Sequence, residues 1–116
     1  MQDTAAITEY HAHVYYDPAD ADSRALAAAL RAAVEARFTV RMGRWHDAKV
    51  GPHPSAMYQI AFAPDQFEAL VPFLMLNRRG LTVLVHPETG RARADHLEHA
   101  RGMGAVLPLD ASVLKT

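Results

Sequence analysis

The sequence predicts an α+β protein in which an antiparallel sheet carries helices on one of its faces. Three stretches, residues 8–16, 56–63 and 81–86, alternate with the two-residue period of a β-strand. Residues 26–37 repeat apolar side chains at the three- and four-residue spacing of a helix. The chain has 116 residues, half of them apolar, and no visible linker, so we expect a single domain over residues 1–116.

The first strand, predicted over residues 8–16, has chemically different faces. One face suits a hydrophobic core and consists of Tyr10, Ala12, Val14 and Tyr16. The other presents His11, His13 and Tyr15. A strand with two histidines on one face uses that face for more than burial, so the residues that complete it are of interest.

Local signals predict the next elements. Asp17, Asp20 or Ser23 can cap the first helix, because their side chains accept hydrogen bonds from its first free N–H groups. A second strand is predicted over residues 38–46 and a third over residues 56–63.

Proline and glycine divide the second half of the chain. The second helix is expected to break or kink at Pro72, which lacks an N–H donor, and Gly80 is expected to end it in a left-handed conformation. The fourth strand is predicted over residues 81–86, with Pro87 as its stop. Asp95 is expected to cap a short helix that contains two further histidines.

This order of elements is typical of a ferredoxin-like βαββαβ sandwich followed by a C-terminal extension. In that arrangement four antiparallel strands form the sheet, the first and third are central, and both helices cover one face. The polar side chains assigned to the helix-free face are His11, His13, Tyr15, Arg41, Gln59, Thr82 and His86.

The helix-free face also carries apolar area from Tyr15, Trp45, Met57 and Leu84. An apolar area of this size is normally covered. We expect a second subunit or the C-terminal tail to cover it, and we predict a homodimer through this face.

Composition excludes several classes of protein. The net charge is −1 and there is no run of basic residues, which argues against a nucleic-acid or membrane-surface partner. The absence of cysteine excludes disulfides, thiolate catalysis and cysteine-ligated zinc. The first residues lack the features of a signal peptide, so we expect a cytoplasmic protein.

The seven histidines are the unusual feature of the composition. Antiparallel pairing of the first and fourth strands would place His86 near His11, with His13 one pleat further along. Three neutral imidazoles there could bind a transition metal, although histidines that only form hydrogen bonds are the alternative. The strand faces offer no carboxylate that can be assigned to the ion. His53 lies between two prolines, which stiffen its loop.

Other side chains could act on a substrate near these histidines. Any of His46, His53, His96 and His99 could serve as a general base. Gln59 could donate a hydrogen bond to a substrate or support a ligand. Arginine binds carboxylates through two parallel hydrogen bonds, and the candidates are Arg41, Arg44 and Arg78.

The sequence resembles the DOPA 4,5-dioxygenase family, a family of small single-domain proteins. The matching segments are residues 11–16 (HAHVYY), 51–54 (GPHP), 57–62 (MYQIAF), 71–78 (VPFLMLNR), 80–81 (GL), 85–87 (VHP) and 95–96 (DH). Together they cover most of the chain in one order. The departures are Phe73, where tryptophan is expected, and the alanine-rich first helix.

The resemblance implies an extradiol ring-cleaving dioxygenase that acts on DOPA or a related catechol with O2 and non-haem Fe(II) or another divalent metal. Sheet geometry makes His11, His13 and His86 the candidate metal ligands. His53 is the first candidate for the acid–base residue, and His46 and His96 are the second candidates. The candidate substrate-binding residues are Gln59, Tyr15, Arg41 and Arg78. The alternatives are a non-catalytic dimeric module that binds a small aromatic acid, and a structural domain with hydrogen-bonded histidines.

Overall fold

A five-stranded antiparallel sheet is the frame of the protein, seen here in a computed structural model that describes residues 1–116. Its strands are β1 (Glu9–Tyr15), β2 (Arg41–Met42), β3 (Met57–Phe62), β4 (Val83–Glu88) and β5 (Arg101–Met103). They lie in the order β2-β3-β1-β4-β5, and all neighbours are antiparallel. The predicted mixture of helices with an antiparallel sheet is confirmed. The prediction of four strands is wrong, because β5 in the tail pairs with β4 and extends the sheet.

Three helices accompany the sheet: α1 (Ala21–Arg37), α2 (Phe67–Asn77) and α3 (Ala92–Leu97). Asp20 caps α1, where its carboxylate accepts hydrogen bonds from the N–H groups of Asp22 and Ser23. No break occurs at Pro72 inside α2. Pro72 and Glu68 are both exposed, so water can bond the carbonyl that proline leaves without a partner. No helix combines the length and apolar character that crossing a membrane requires.

The hydrophobic core lies between one face of the sheet and the helices α1 and α2. The sheet contributes Ala12, Val14, Tyr58, Ile60, Phe62, Val83 and Val85, and the helices contribute Ala27, Leu30, Val34, Leu70, Val71 and Leu74. The Tyr58 hydroxyl donates a hydrogen bond of 2.8 Å to the carbonyl of Ala27 and so ties β3 to α1. The side chains predicted for the apolar face of the first strand belong to this core.

The second strand is much shorter than predicted. Its ladder stops after β2, and the chain rejoins β3 only through a single bridge between His46 and Met57. Because the strand alternation is broken, Trp45 lies on the helix side. Its ring centre is 5.1 Å from that of Tyr16 and 5.0 Å from that of Tyr58. The prediction that Trp45 belongs to the helix-free face is therefore wrong.

The fourth strand continues through Pro87 to Glu88, so the prediction that Pro87 stops it is also wrong. β5 pairs only with residues 83–85, and beyond them β4 has a ladder partner in β1 alone. A missing N–H is tolerated where no second neighbour needs it. The extension places Glu88 on the same strand face as His86.

Candidate metal centre

The second face of the sheet, which α1 and α2 leave free, is covered by the chain itself. Rings from α3 and from the loop before β3 pack onto it, and residues 105–109 of the tail close over β4. As a result His13 is only 2% exposed and His86 only 1%. The sequence suggested the tail or a second subunit as the cover of this face. The tail is in that position, and the homodimer stays a prediction.

Five imidazole rings meet on this face: His11, His13, His53, His86 and His96, called here the histidine cluster. The predicted register is confirmed, because His11 and His86 are directly opposite each other on β1 and β4. Their ring centres are 5.2 Å apart, and those of His13 and His86 are 5.1 Å apart. The ring of His53 lies 4.0 Å from that of His13, and the ring of His96 lies 3.9 Å from that of His86. All three predicted ligands are brought together with two of the predicted acid–base residues.

The orientation of His53 is fixed by its loop and by a tyrosine on β1. The N–H of His53 donates to the carbonyl of Val50, and the carbonyl of Pro52 accepts from the N–H of Asp110 in the tail. The side chain of His53 bonds through Nδ1 to the hydroxyl of Tyr15 at 2.7 Å. Its Nε2 is therefore the nitrogen left for a ligand.

His96 lies on α3, next to the buried carboxylate of Asp95, which anchors this helix to the turn after β4. Asp95 lies inside α3, so the prediction that it caps this helix is wrong. Its oxygens accept hydrogen bonds from Thr89 N (2.8 Å), Thr89 Oγ1 (2.7 Å) and His99 Nδ1 (3.1 Å). Burial alone would raise the pKa of Asp95, but these hydrogen bonds hold the pKa below its usual value. His96 Nδ1 donates to the carbonyl of Ala92 at 2.7 Å.

The hydrogen bonds define which ring nitrogens carry protons. His86 Nδ1 lies 3.0 Å from the carbonyl of Pro87, which can only accept, so Nδ1 of the neutral ring carries the proton. Its Nε2 then accepts from His13 Nε2, 2.9 Å away. His13 Nδ1 is left with a lone pair, and it is buried without any hydrogen-bond partner.

The buried rings are held in the neutral form. Burial lowers the pKa of His53 to about 4 and the pKa of His86 to about 3. Burial, followed by the neighbouring imidazoles, also lowers the pKa of His13 well below its usual value. Neutral imidazole is the form that binds metal ions, so His13, His53 and His86 are in the protonation state that a metal site requires.

Two overlapping groups of three histidines could hold a metal ion. One consists of His11, His13 and His86, and the other of His13, His53 and His96. In each group one nitrogen from each ring lies within 4.8 Å of the others. Both groups contain His13.

Two carboxylates adjoin the cluster at His11, and the sequence did not assign them to it. Glu9 Oε2 lies 3.3 Å from His11 Nε2, and Glu88 Oε1 lies 3.3 Å from His11 Nδ1. Glu9 also accepts both hydrogen bonds of Arg41, at 2.8 and 3.0 Å. Arg41, predicted to bind substrate, is thus paired at the exposed edge of the sheet. Extending the strand through Pro87 would have revealed Glu88.

The other residues predicted for the site, Gln59, His46 and Arg78, lie outside the histidine cluster. Gln59 on β3 is directly opposite His13 on β1. His46 is bridged to β3 through its backbone and contributes no nitrogen to either group of three. Arg78 lies in the turn before β4, where its guanidinium donates to the carbonyl of Leu81 at 3.0 Å.

A cavity of about 290 Å³, called here the tail cavity, opens beside the cluster. Leu84 of β4, His96 of α3 and Tyr15 of β1 line its inner side, and residues 105–109 close its outer side. A larger cavity of about 670 Å³ lies between the N-terminal residues, α2 and β5, and His86 is the one residue of the histidine cluster in its lining. The tail cavity contacts the cluster at His96 and at Tyr15, the hydrogen-bond partner of His53, whereas the larger cavity contacts it only at His86, so the tail cavity is the better position for a substrate of the cluster.

The fold and the site define a small antiparallel-sheet protein whose buried histidines can bind a metal ion. The model of the Dopa 4,5-dioxygenase family matches residues 10–113. The chain therefore belongs to the DOPA 4,5-dioxygenase family, as its resemblance implied. Membership supports an oxygenase and is compatible with a bound metal.

Individual relatives agree with this membership. The chain is 34% identical over 115 residues to an uncharacterized 21.2 kDa protein of Botryotinia fuckeliana, covering 91% of this chain and 63% of the relative. It is 32% identical over 114 residues to a DOPA 4,5-dioxygenase of Amanita muscaria, covering 93% and 50%. A crystal structure of a candidate dioxygenase from Nostoc punctiforme PCC 73102 is 51% identical, with a TM-score of 0.92 and coverage of 97% and 96%. The chain thus spans about half to two-thirds of the length of the two curated relatives.

The lowered pKa values predict that the metal-free protein loses stability below about pH 6.5. An unfolded histidine takes up its proton near that pH, whereas His53 and His86 do so only near pH 4 and pH 3. The unfolded state therefore binds more protons in this window. For each unit by which the pH falls, each such histidine lowers the free energy of unfolding by up to about 1.4 kcal/mol. Denaturant titrations from about pH 8 to about pH 5 measure the slope. A His53→Gln variant should show a shallower slope, and an unchanged slope would contradict this origin.

The Tyr15–His53 hydrogen bond predicts that Tyr15→Phe weakens metal binding without unfolding the protein. Removing a group that orients a ligand typically costs about 10–100-fold in metal affinity. Tyr16→Phe is the matched control, because the Tyr16 hydroxyl bonds to Asp47 and not to a histidine. Competition of both variants with a chelator measures the effect. Equal affinities for the two variants would show that Tyr15 does not position His53.

Proposed function

We propose that this chain is an extradiol dioxygenase, which opens a catechol ring beside its hydroxyls with O2 and a ferrous ion held by the histidine cluster. The observation that carries the proposal is the buried, neutral group of imidazoles around His13 Nδ1, which has no partner within the protein. Membership of the DOPA 4,5-dioxygenase family and the adjoining tail cavity support it. In this reaction one ring carbon–carbon bond breaks and both oxygen atoms of O2 enter the product, so no external reductant is needed.

Hydrogen-bond pairing favours His13, His53 and His96 as the ligands. With this set, His13 Nδ1 gains the partner that it lacks, while its Nε2 keeps its bond to His86. His96 keeps its outward bond to a backbone carbonyl, and His53 keeps its bond to Tyr15. Ligating histidines normally hold such a bond on their second nitrogen.

The set expected from the sequence, His11, His13 and His86, is the competing arrangement. The 2.9 Å between Nε2 of His13 and Nε2 of His86 suits two neighbouring ligands, since bonds of about 2.1 Å at right angles place nitrogens about 3 Å apart. However, this set leaves His13 Nδ1 buried without a partner. It also takes His11 away from one of its two carboxylates, Glu9 or Glu88.

The ferrous ion, when bound, supplies a positive charge that favours ionised catechol oxygens and a centre that binds O2. The chain's own residues would exclude water and carry protons. His86 Nε2 is 2.9 Å from His13, the ring centres of His86 and His11 are 5.2 Å apart, and His11 lies 3.3 Å from the half-exposed carboxylates of Glu9 and Glu88. These two histidines therefore replace His53 and His96 as the proton carriers in the proposed arrangement.

Oxygen consumption tests the proposed activity. Protein loaded anaerobically with ferrous iron should take up O2 when a catechol is added and should yield a ring-opened product with a new absorption band. Removal of the metal by a chelator should abolish both signals. Tight binding of catechols without oxygen uptake would instead favour the non-catalytic binding module.

Single substitutions distinguish the two ligand sets. His96→Gln should lower ferrous-ion affinity by more than about 100-fold, since loss of a ligand exceeds the cost of losing an orienting group. His11→Gln should change the affinity only a few-fold. His46→Gln is the matched control, because His46 belongs to neither group. A large loss in His11→Gln with little change in His96→Gln would establish the set expected from the sequence.

A further inference from the structure

The tail cavity has a nearly uniform apolar lining. Its inner side carries Leu84 and Leu97 beside His96, and its outer side carries Val106, Leu107 and Leu109. No aspartate, glutamate, lysine or arginine lines it. Its volume of about 290 Å³ is at the lower end of the range for small-molecule sites, which suits a single aromatic ring with a short substituent.

Besides His96, the proposed metal ligand, the lining has two polar side chains, Tyr15 and Thr82, and both already have partners. The Tyr15 hydroxyl bonds to His53 Nδ1 at 2.7 Å. Thr82 Oγ1 accepts a hydrogen bond of 3.2 Å from the N–H of Ala105 in the tail. The cavity therefore offers neither a cation for a carboxylate nor an anion for an ammonium group.

Arg78 is the cation to consider beside this cavity, and it lies outside the lining. Its Nη1 donates to the carbonyl of Leu81. The same atom would be 3.0 Å from a Cβ added at Gly104, and a Thr82 oxygen would be 3.1 Å from it, so Arg78 is packed behind the tail. A substrate in the tail cavity would not reach Arg78 without displacing these contacts.

We infer that the substrate of this chain is a catechol with an uncharged ring substituent, such as an alkyl group, and not a catechol that carries a free amino-acid group. The inference rests on the proposed function. Its physical reason is that an ammonium or carboxylate group would lose its hydration in the cavity and find no opposite charge there.

A charge series of catechols tests the inference. The iron-loaded protein is assayed with 4-methylcatechol, dopamine, 3,4-dihydroxyphenylpropionate and DOPA, which carry no charge, a cation, an anion and both. We expect the catalytic efficiency, kcat/KM, to be highest with 4-methylcatechol by at least about tenfold, because each charged group must be desolvated without a partner. Equal or better turnover of DOPA would overturn the inference while leaving the dioxygenase proposal intact.

Binding is measured in parallel, so that the inference does not depend on turnover. Dissociation constants of the same four compounds, determined anaerobically, should follow the same order. If no catechol is turned over but 4-methylcatechol binds most tightly, the dioxygenase proposal fails and the preference for an uncharged ligand stands. Failure of 4-methylcatechol to bind at all would overturn the inference.

Two arginine variants locate the preference. Leu107 is a half-buried residue of the lining, so Leu107→Arg places a cation there and should raise the catalytic efficiency with the anionic catechol, relative to that with the uncharged one, by about tenfold, as one opposite charge restores a partner. Leu114→Arg is the matched control, because Leu114 is also a half-buried leucine of the tail and does not line the cavity. Arg78→Gln should leave the ratio unchanged, and selective loss of the anionic catechol in this variant would overturn the inference.

Discussion

The antiparallel register between β1 and β4 is the constraint on which the site depends. It sets His11 opposite His86 and places His13 one pleat further along the same face. A shift of one residue would turn these histidines into the hydrophobic core and expose Ala12 and Val14 to the other side. The core residues of β1 hold the register, because Ala12 and Val14 are completely buried. The packing that stabilises the fold therefore also fixes the arrangement of the imidazoles.

Burial of the histidine face destabilises the protein as long as no ligand is bound there. A buried polar atom without a hydrogen bond costs about 1–3 kcal/mol, and His13 Nδ1 is such an atom. Burial also keeps three imidazoles neutral across a pH range in which free histidines become charged. Both effects destabilise a protein that binds nothing at this position. A metal ion bound as proposed would offset them, since it would bond the free lone pair and requires neutral rings.

The sequence was sufficient for features that depend on local periodicity. Strand alternation separated the core face of β1 from its histidine face, and antiparallel pairing brought His86 to His11. Prolines around His53 indicated a rigid loop. Features that depend on tertiary neighbours were missed. Pro87 reads as a strand stop because proline lacks an N–H donor, and the sequence does not show that β5 ends before position 87 and leaves it without a second neighbour, so Glu88 is missed with it.

The two faces of the sheet have different roles, one in the hydrophobic core and one in the candidate metal site, and this difference explains the position of the tail. One face packs against α1 and α2 and provides most of the buried apolar area. The other face carries the histidines together with apolar side chains such as Tyr15 and Met57, which are buried although α1 and α2 do not reach them, so it needs a separate cover. Residues after β4 supply it: α3 carries His96 onto the cluster, and residues 105–109 close the tail cavity. Because the cover comes from a short helix and an irregular segment, its apolar side chains can change without disturbing the core. In the proposed arrangement the metal ligands come from β1, the loop before β3 and α3, whereas the substrate preference would depend mainly on the apolar side chains of the tail.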